Sequence, residues 1–300
     1  MRVLVTGVNG LVGSRLAAVL ASRGHVLTTF GRGPQRFALG GEYVSVNLAD
    51  EDALTAAVGV ARPDVILNPA SMTDVDACED APEEAVRING IAPGILALAA
   101  RRLGAHLIHV STDYVFDGEG GPYTEAAIPN PRGVYALTKH MGEQAVRAAG
   151  GSWAIARTAV VYGWPPASRP NFGSWLLDAL RKGTQVRLFE DQLVSPSLAD
   201  SVAEQLAELA ERHLGGFWNT CGAEVVSRVE FGLALCAEFR LDAHQILPSR
   251  LADARLKAPR PARSGLRVEK AAAELRTEPL KLAASLKRFR QAFELAQGTK

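Results

Sequence analysis

The sequence has few cysteines, no excess of charge of either sign and no long hydrophobic run. Its three cysteines, Cys78, Cys221 and Cys236, are an odd number at wide spacing, and its six histidines are scattered. This pattern indicates a reducing compartment and no metal site. A formal net charge of +1 at pH 7 offers no basic surface to nucleic acid or an acidic membrane. No apolar segment is long enough to span a bilayer, and the first residues lack the features of a signal peptide. We therefore expect a cytoplasmic protein without a nucleic-acid or membrane partner.

Short apolar runs alternate with helical stretches over the first two thirds of the chain. The predicted strands are Val3–Val5, Val26–Phe30, Tyr43–Val46, Val65–Leu67, His106–Val110 and Trp153–Arg157. The predicted helices between them are Leu11–Ser22, Asp52–Ala61, Glu83–Leu103 and Val134–Ala148. Because parallel neighbouring strands need crossover connections, this alternation predicts an α/β fold with a Rossmann-type, doubly wound parallel sheet.

The composition changes after Tyr162. A stretch rich in glycine and proline, 163–170, is predicted to be a loop. The helices predicted after this loop are Phe172–Lys182, Ala199–His213, Val229–Phe239 and Leu282–Gln297. We expect residues 1–162 to form the sheet domain and residues 163–300 to form mainly a smaller, C-terminal substrate-binding lobe, some segments of which can return to the sheet.

A glycine-rich turn lies directly between the first predicted strand and the first predicted helix: Gly7-Val8-Asn9-Gly10-Leu11-Val12-Gly13. Gly7 permits the tight turn, Gly10 lets the backbone approach a pyrophosphate, and Gly13 allows the helix to pack closely on the strand. The first N–H groups of the helix then face the phosphates. Such a string also occurs in plain turns, but its position here predicts a dinucleotide site. The other candidate cofactor-binding residues of the turn are Asn9, Leu11 and Val12.

The end of the second predicted strand bears on the choice of dinucleotide. Sites that prefer NAD usually place a carboxylate there, whereas this chain has Arg32 and no acidic residue in the segment 29–33. A guanidinium at this position can pair with a 2′-phosphate, and Arg36 could do the same. We therefore expect NADPH to be preferred, with NADH possible. The plain alternative is an arginine in an exposed loop.

Three residues are candidates for catalysis. Tyr135 and Lys139 are four residues apart, which places both side chains on one face of the predicted helix. A neighbouring ammonium stabilises a phenolate, so Lys139 is expected to adjust the acidity of Tyr135 and also to hold the cofactor's ribose. Thr112 follows the strand His106–Val110 at the edge where open α/β sheets bind ligands. The sequence therefore predicts an NAD(P)-binding domain that carries the catalytic residues of a hydride-transfer enzyme.

These motifs resemble the extended short-chain dehydrogenase/reductase superfamily and, more narrowly, the dTDP-4-dehydrorhamnose reductase family. The segments that carry the narrower resemblance are 68–76, 87–89, 111–118, 123–125, 157–163, 171–172, 191–196 and 260–266. The resemblance covers nearly the whole chain. It implies an NADPH-dependent reductase of a keto group on a nucleotide-linked deoxysugar, and it allows a homodimer.

The resemblance also implies roles for individual residues. Tyr135 would donate the proton, Lys139 would be its electrostatic partner and a ribose ligand, and Thr112 would polarise the carbonyl. The further cofactor contacts it implies are Asn47 and Leu48 at the adenine and Ala70 and Ser71 near the second ribose. The substrate contacts it implies are Asp113 and Tyr114 at the sugar and Asn171 and Phe172 in a lid.

The sequence departs from the family pattern at two places. Val160 stands where the family's sugar reductases carry a tryptophan that shapes the sugar pocket, and Trp164 is a candidate to replace it. The loop that follows Gln192 lacks the family's glycine and threonine. These departures put the specificity for dTDP-linked rhamnose in question.

Three other functions compete with a reductase. A sugar 4,6-dehydratase needs an Asp-Glu pair after the threonine, and here Asp113 is followed by Tyr114, so elimination lacks a base. A nucleotide-sugar 4-epimerase is a second alternative. The third is a regulatory subunit that binds a dinucleotide and a partner enzyme without catalysis.

Overall fold

The computed structural model describes residues 1–38, 40–165 and 169–298. Its strands are β1 (Arg2–Val5), β2 (Val26–Gly31), β3 (Glu42–Ser45), β4 (Val65–Asn68), β5 (His106–Thr112), β6 (Ser152–Thr158), β7 (Val161–Tyr162), β8 (Val186–Phe189), β9 (Leu193–Val194), β10 (Ser197–Leu198), β11 (Gly216–Asn219), β12 (Val226–Ser227) and β13 (Ile246–Ser249). Seven of them form one parallel sheet in the order β11-β6-β5-β4-β1-β2-β3. The six strands predicted from the sequence are all present in it. The predicted α/β class and Rossmann-type sheet are thus confirmed.

The helices are α1 (Leu11–Ser22), α2 (Glu51–Ala61), α3 (Val75–Asp80), α4 (Pro82–Ala85), a π-helical turn (Val86–Ile91), α5 (Ala92–Leu103), α6 (Gly133–Ala149), α7 (Phe172–Arg181), α8 (Ala199–Glu211), α9 (Arg228–Phe239), α10 (Glu269–Glu274) and α11 (Leu282–Gly298), with short 3-10 turns at Asp113–Val115, Ala243–Gln245 and Leu251–Asp253. Most agree with the predicted helices to within two residues. Within the loop predicted over 163–170, residues 166–168 lie outside the described part of the chain.

The helix predicted over Glu83–Leu103 is not regular. It divides into α4, the π-helical turn and α5. Pro93 lacks the N–H that an α-helix would bond to the carbonyl of Asn89, so the ladder is interrupted at this point. The short helix α3, which the sequence analysis missed, begins at an N-cap where Asp74 accepts a 3.1 Å hydrogen bond from the N–H of Ala77.

Part of the chain after residue 162 returns to the sheet. β11 pairs in parallel with β6 at one edge. α8 buries Val202 and Leu206 in the same apolar cluster as Leu16 and Leu20 of α1. The helix predicted over Ala199–His213 therefore packs on the sheet beside α1, because its apolar face and that of α1 form one cluster.

The smaller lobe has an aromatic core of its own. Helices α7, α9 and α11 bury Leu176, Phe231 and Phe289 together with Tyr162. The hydroxyl of Tyr162 donates a 2.7 Å hydrogen bond to Ser285. This core places the N-terminal ends of α7 and α9 above the carboxyl edge of the sheet, where the site described below lies.

A buried ion pair fastens α6 to the sheet. Arg157 on β6 donates to both carboxylate oxygens of Glu143 on α6, at 2.9 and 2.8 Å, and both side chains are buried. The guanidinium also lies against the rings of Phe116 and Phe217, 5.0 and 4.6 Å from their centres. Two hydrogen bonds in parallel fix both the position and the rotation of the helix.

We expect Glu143→Gln to lower the free energy of unfolding by about 3–5 kcal/mol, because it leaves the buried guanidinium of Arg157 without its counter-charge. Urea unfolding measures this change. Glu204→Gln, which removes an exposed pair with Arg288, is the matched control and should cost less than about 1 kcal/mol. Equal losses in the two variants would contradict the assignment.

The same pair predicts the pH dependence. Hydrogen bonds from Arg157 hold the pKa of Glu143 at about 2, below its ordinary 4.5, despite its burial. The contribution of the pair is therefore complete above about pH 4.5 and is lost as the pH falls towards 2.

Candidate active site

A cleft of about 1190 Å³ opens at the carboxyl ends of β1, β2, β4 and β5. The residues predicted to bind the cofactor all line it: Gly7, Asn9, Gly10, Leu11, Val12, Gly13, Arg32, Asn47, Leu48, Ala70, Ser71, Tyr135 and Lys139. Thr112 lines the same cleft and also a second cavity of about 420 Å³ behind it. Thr112 and Tyr135 line both spaces and therefore lie where the two meet, whereas Lys139 lines the larger cleft alone.

The glycine turn is shaped to receive a diphosphate. Gly7 has a φ of +60°, and a Cβ there would lie 2.8 Å from the Cα of Ala70. A Cβ on Gly13 would lie 2.3 Å from the carbonyl oxygen of Gly7. Gly10 caps α1 without a side-chain hydrogen bond, and no acidic residue occupies the first turn. The N–H groups at the start of α1 are thus left to an anion, which fits a dinucleotide.

Asn9 connects this turn to the loop that follows β2. Its amide nitrogen donates to the carbonyl oxygens of Arg32 and Pro34 at 3.2 and 3.1 Å, and its oxygen accepts from the N–H of Arg36 at 3.0 Å. The polar atoms of Asn9 therefore hold the loop in place beside the cleft. A direct contact of its side chain with the cofactor stays a prediction.

Arg32 lies at the outer edge of the cleft with 78% of its side chain exposed. Its guanidinium is 3.6 Å from the carboxylate of Glu84, which also lines the cleft. The segment after β2 contains no acid, but the fold brings one from α4. The carboxylate of Glu84 competes with a cofactor phosphate for Arg32. The sequence analysis missed it, since the two residues are 52 positions apart and no local pattern connects them.

Lys139 is buried beneath the cleft. Its ammonium donates a 2.7 Å hydrogen bond to the carbonyl oxygen of Val110 on β5. Burial lowers the pKa of Lys139 to about 8, and the nearby carboxylate of Glu143 opposes this. The side chain is therefore positively charged at neutral pH and is held at the edge of the cleft.

Burial raises the pKa of Tyr135 well above its ordinary value, and a hydrogen bond with the side chain of Thr112 opposes the change. The expectation that Lys139 stabilises a tyrosinate stays a prediction; the hydrogen bond that the structure shows for its ammonium is the one to Val110. A phenol that stays protonated at neutral pH is suited to donate a proton.

Thr112 belongs to a buried chain of polar groups. Its hydroxyl donates to Asp113 at 3.1 Å and accepts from the N–H of Tyr114 at 3.2 Å. The other carboxylate oxygen of Asp113 accepts a 2.5 Å hydrogen bond from Ser264. Burial raises the pKa of Asp113 to about 6. Asp113 lines the second cavity, but its hydrogen bonds position Thr112, and its predicted contact with a sugar remains untested.

Asn89, on the π-helical turn, connects the cleft to the helix of Tyr135. Its amide oxygen accepts from the hydroxyl of Ser71 at 2.9 Å and from the N–H of Met72 at 2.8 Å. Its nitrogen donates to Thr138, one residue before Lys139, at 3.3 Å. The sequence analysis did not identify this role; the available signal was that Asn89 lies in the segment 87–89, which carries the family resemblance.

The predicted lid residues differ in what they can offer a ligand. The amide of Asn171 caps α7 by accepting from Ser174 at 3.0 Å, and it donates to the carbonyl of Gly163 at 2.9 Å. Phe172 lines both spaces. A sugar contact by either residue stays a prediction. The amide of Asn171 is already engaged in hydrogen bonds within the protein, whereas the ring of Phe172 is not.

The aromatic wall of the second cavity comes from an unexpected residue. Trp164 packs edge-on against Phe293, 4.9 Å between ring centres, and lines neither space. The suggestion that it replaces the family's tryptophan at Val160 is therefore wrong. Trp175, 45% exposed, lines the second cavity together with Tyr114 and Val160. It lies one turn into α7, where the sequence pattern indicates only a helix.

The described residues contain neither a candidate membrane-spanning helix nor a candidate metal site. No helix among them has the length and apolar character needed to cross a membrane. No group of three or more His, Cys, Asp or Glu side chains within residues 1–38, 40–165 and 169–298 could hold a metal ion.

Comparisons with known proteins show similarity over nearly the whole chain. The family described as the RmlD substrate binding domain matches residues 1–295. The probable low-salt glycan biosynthesis reductase Agl14 of Haloferax volcanii is 35% identical over 289 residues, which cover 92% of each chain. The dTDP-4-dehydrorhamnose reductase of Streptomyces griseus is 38% identical over 217 residues, 72% of this chain and 67% of the relative. The crystal structure of a dTDP-4-dehydrorhamnose reductase from Clostridium acetobutylicum is 26% identical with a TM-score of 0.87, covering 98% of this chain and 100% of that one.

The glycine turn generates a test of the phosphate site. A Cβ on Gly10 would meet only the carbonyl oxygen of Gly7, at 3.1 Å, so Gly10→Val should leave the fold intact but weaken NADPH binding roughly tenfold or more. Calorimetric titration measures this affinity. Gly13→Ala is the contrasting variant: its clash with Gly7 should lower stability by about 1–3 kcal/mol. Unchanged NADPH affinity in a folded Gly10→Val protein would exclude this turn as the phosphate site.

Proposed function

The chain belongs to the RmlD substrate binding domain family, and from this membership we propose that it is an NADPH-dependent reductase of a keto group on a nucleotide-linked deoxysugar, of the dTDP-4-dehydrorhamnose reductase type. The observation that carries the proposal is the position of Thr112 and Tyr135. Both line the cleft that contains the glycine turn and also the second cavity. A carbonyl group at this junction would have the cofactor on one side and space for a sugar on the other.

The residues of the chain support reduction in the following way. NADPH supplies the hydride when it is bound. Tyr135 donates the phenolic proton to the alkoxide that forms, since its raised pKa keeps that proton in place at neutral pH. Thr112 is the candidate for a second hydrogen bond to the same oxygen, for which its hydroxyl must turn away from Asp113; Ser264 holds the other carboxylate oxygen of Asp113. Lys139 presents a positive charge beneath the cleft and is the candidate ligand for the ribose hydroxyls.

The structure bears on the competing functions through Tyr114. A dehydratase would need a second carboxylate after Asp113, and Tyr114 occupies that place, its ring 5.7 Å from that of Tyr135. Burial raises the pKa of Tyr114, so its phenol stays protonated at neutral pH and does not replace the missing carboxylate as a base. An epimerase or a regulatory subunit would share the cofactor cleft, so turnover must distinguish them from a reductase.

Compartment and assembly belong to the same proposal. All three cysteines are buried and free, which fits the reducing environment of the cytoplasm. We also propose a homodimer, on the basis of the family resemblance alone.

The choice of cofactor gives one prediction. Arg32→Ala should reduce the preference for NADPH over NADH by roughly tenfold, since a charge-assisted hydrogen bond contributes about 1.5–3 kcal/mol before solvent screening weakens it. Glu84→Gln should raise that preference, because it removes the carboxylate that now pairs with Arg32. Dissociation constants for both cofactors provide the measurement, and Arg87→Ala, an exposed residue that does not line the cleft, is the control. Equal affinities for NADPH and NADH in the unmutated protein would refute a role for Arg32.

The chemistry gives a second prediction. Tyr135→Phe should keep its affinity for NADPH but lose about 10²–10⁴-fold in rate, the range expected for a positioned general acid. Lys139→Ala should weaken both, because Lys139 serves the cofactor as well as the reaction. The loss of NADPH absorbance with a panel of nucleotide-linked keto sugars is the readout. Full activity in Tyr135→Phe would contradict the mechanism, and no turnover of any substrate despite tight NADPH binding would favour the regulatory subunit.

A further inference from the structure

The first turn of α6 carries Tyr135 and has no capping side chain from the residues next to it. The helix begins at Gly133, whose φ of +80° lies in the left-handed region. Arg132 occupies the N-cap position, but its side chain makes no capping hydrogen bond, and the first turn contains no acidic residue. The N–H groups of a first turn have no partner within their own helix. This turn therefore depends on groups from elsewhere in the fold.

The carboxylate of Glu79 on α3 provides the cap. Its Oε1 accepts a 2.8 Å hydrogen bond from the N–H of Val134, although 55 positions separate the two residues. Carboxylates are favoured at this end of a helix, because they accept from its free N–H groups and because the positive end of the helix dipole attracts them. Val134 directly precedes Tyr135, so the hydrogen bond is made one residue before the phenol.

The helix α3 also packs against the same turn through apolar contacts. Cys78, the residue before Glu79, is buried in one cluster with Tyr135, and Val75 and Val134 pack against that cluster. Apolar contacts are not directional, whereas a hydrogen bond requires a particular distance and angle. The contacts of Cys78 therefore hold α3 beside the turn, and the hydrogen bond from Val134 to Glu79 sets where the turn lies along it.

The segment 257–260 holds α3 from another side. The two carboxylate oxygens of Asp76 accept hydrogen bonds from the N–H of Ala258 and from the guanidinium of Arg260, both at 2.9 Å. The bond from Ala258, followed by that from Arg260, holds the pKa of Asp76 below its ordinary value. Asp76 is therefore charged at neutral pH, and α3 is fixed independently of its contact with α6.

Gly133 lets these segments approach one another closely. A Cβ at this position would lie 2.9 Å from the Oε1 of Glu79 and 3.0 Å from the Cγ of Pro259. Both separations are shorter than ordinary van der Waals contact, and the positive φ also favours glycine here. The carboxylate of Glu79 is therefore confined between the start of α6 and Pro259.

Glu79 lines neither the cleft nor the second cavity. Any influence on the reaction must therefore pass through α6. Lys139, one turn beyond Tyr135, is held separately by its hydrogen bond to Val110 and by the ion pair of Glu143. Loss of the cap should thus displace Tyr135 and leave Lys139, the candidate ribose ligand, in place.

We infer that Glu79 is a positioning residue: its hydrogen bond to the N–H of Val134 fixes the first turn of α6 and thereby the place of the Tyr135 phenol. This inference rests on the proposed function, since it concerns the proton that Tyr135 donates. Catalysis is sensitive to such placement, because a displacement of about 1 Å can cost about 100-fold in rate. The hydrogen bond, rather than the charge of the carboxylate, carries this role.

Three substitutions separate the hydrogen bond from the charge. Glu79→Gln keeps an oxygen that accepts from the N–H of Val134 and removes the charge. Glu79→Asp keeps the charge on a side chain that is one methylene shorter, which withdraws the oxygen from Val134. Glu79→Ala removes both. Glu83→Ala, which removes an exposed carboxylate of α4 that lines neither space, is the control.

Two measurements are made on the full chain with NADPH bound. Hydrogen–deuterium exchange, followed by mass spectrometry of peptides that span 130–138, reports the protection of the first turn without any turnover. Steady-state reduction of dTDP-4-dehydrorhamnose reports kcat. We expect Glu79→Ala and Glu79→Asp to exchange faster at this turn and to lose roughly 10- to 100-fold in kcat, with unchanged affinity for NADPH. Glu79→Gln and Glu83→Ala should retain both the protection and the rate.

The affinity for NADPH reports whether the fold and the cofactor cleft are intact. Should Glu79→Ala fail to bind NADPH, Glu79→Asp alone carries the comparison with Glu79→Gln. Loss of NADPH affinity in both the Ala and the Asp variants would mean that Glu79 supports the fold as a whole, and it would overturn the inference.

The remaining outcomes are distinct. Faster exchange and lower kcat with Ala or Asp at position 79, both retained with Gln, support the inference. A loss with Gln as large as that with Ala overturns it, because the charge would then be what matters. Unchanged exchange, or faster exchange with unchanged kcat, overturns it as well. If the unmutated protein reduces no substrate, the reductase proposal fails, and the exchange result alone decides whether Glu79 fixes the turn of Tyr135.

Discussion

The position of the reacting groups depends on the buried pair between Glu143 and Arg157. It joins α6 to β6 through two hydrogen bonds. Glu143 is one helical turn beyond Lys139 and two turns beyond Tyr135 on the same helix. The ion pair that fixes Glu143 therefore also fixes the positions of Lys139 and Tyr135 relative to the edge of the sheet. The same carboxylate opposes the loss of charge at Lys139. The ion pair therefore both holds α6 in place and influences the charge of Lys139.

Desolvation determines the protonation states around this arrangement. Burial raises the pKa values of Tyr135 and Asp113 and lowers that of Lys139. A protonated phenol suits the direction in which a carbonyl is reduced, because the proton is already present when the alkoxide forms.

The features that the sequence predicted correctly are local ones. The glycine turn and the alternating strands depend on residues a few positions apart, and turn chemistry and periodicity describe them. The contacts that were missed join distant segments: Ser264 reaches Asp113 across 151 residues, and Glu84 approaches Arg32 from another helix. The two tryptophans show the same limit. Trp164 and Trp175 both follow the sheet domain, and only the packing of α7 and α11 decides which of them faces the cavity. β11 was missed because its four residues begin with glycine and end with asparagine, both of which are uncommon in strands.

Transfer of a hydride within this cleft can be observed directly by isotope. The protein is incubated with NADPH carrying deuterium at one face of nicotinamide C4, then with the opposite stereoisomer, and dTDP-4-dehydrorhamnose as substrate. We expect deuterium at C4 of the product sugar from one stereoisomer and none from the other, because the walls of a single cleft present one face of the ring to the carbonyl. Mass spectrometry and NMR of the product decide the question. Reduced sugar without deuterium from either form, or cofactor oxidation without a reduced sugar, would contradict hydride transfer at this site.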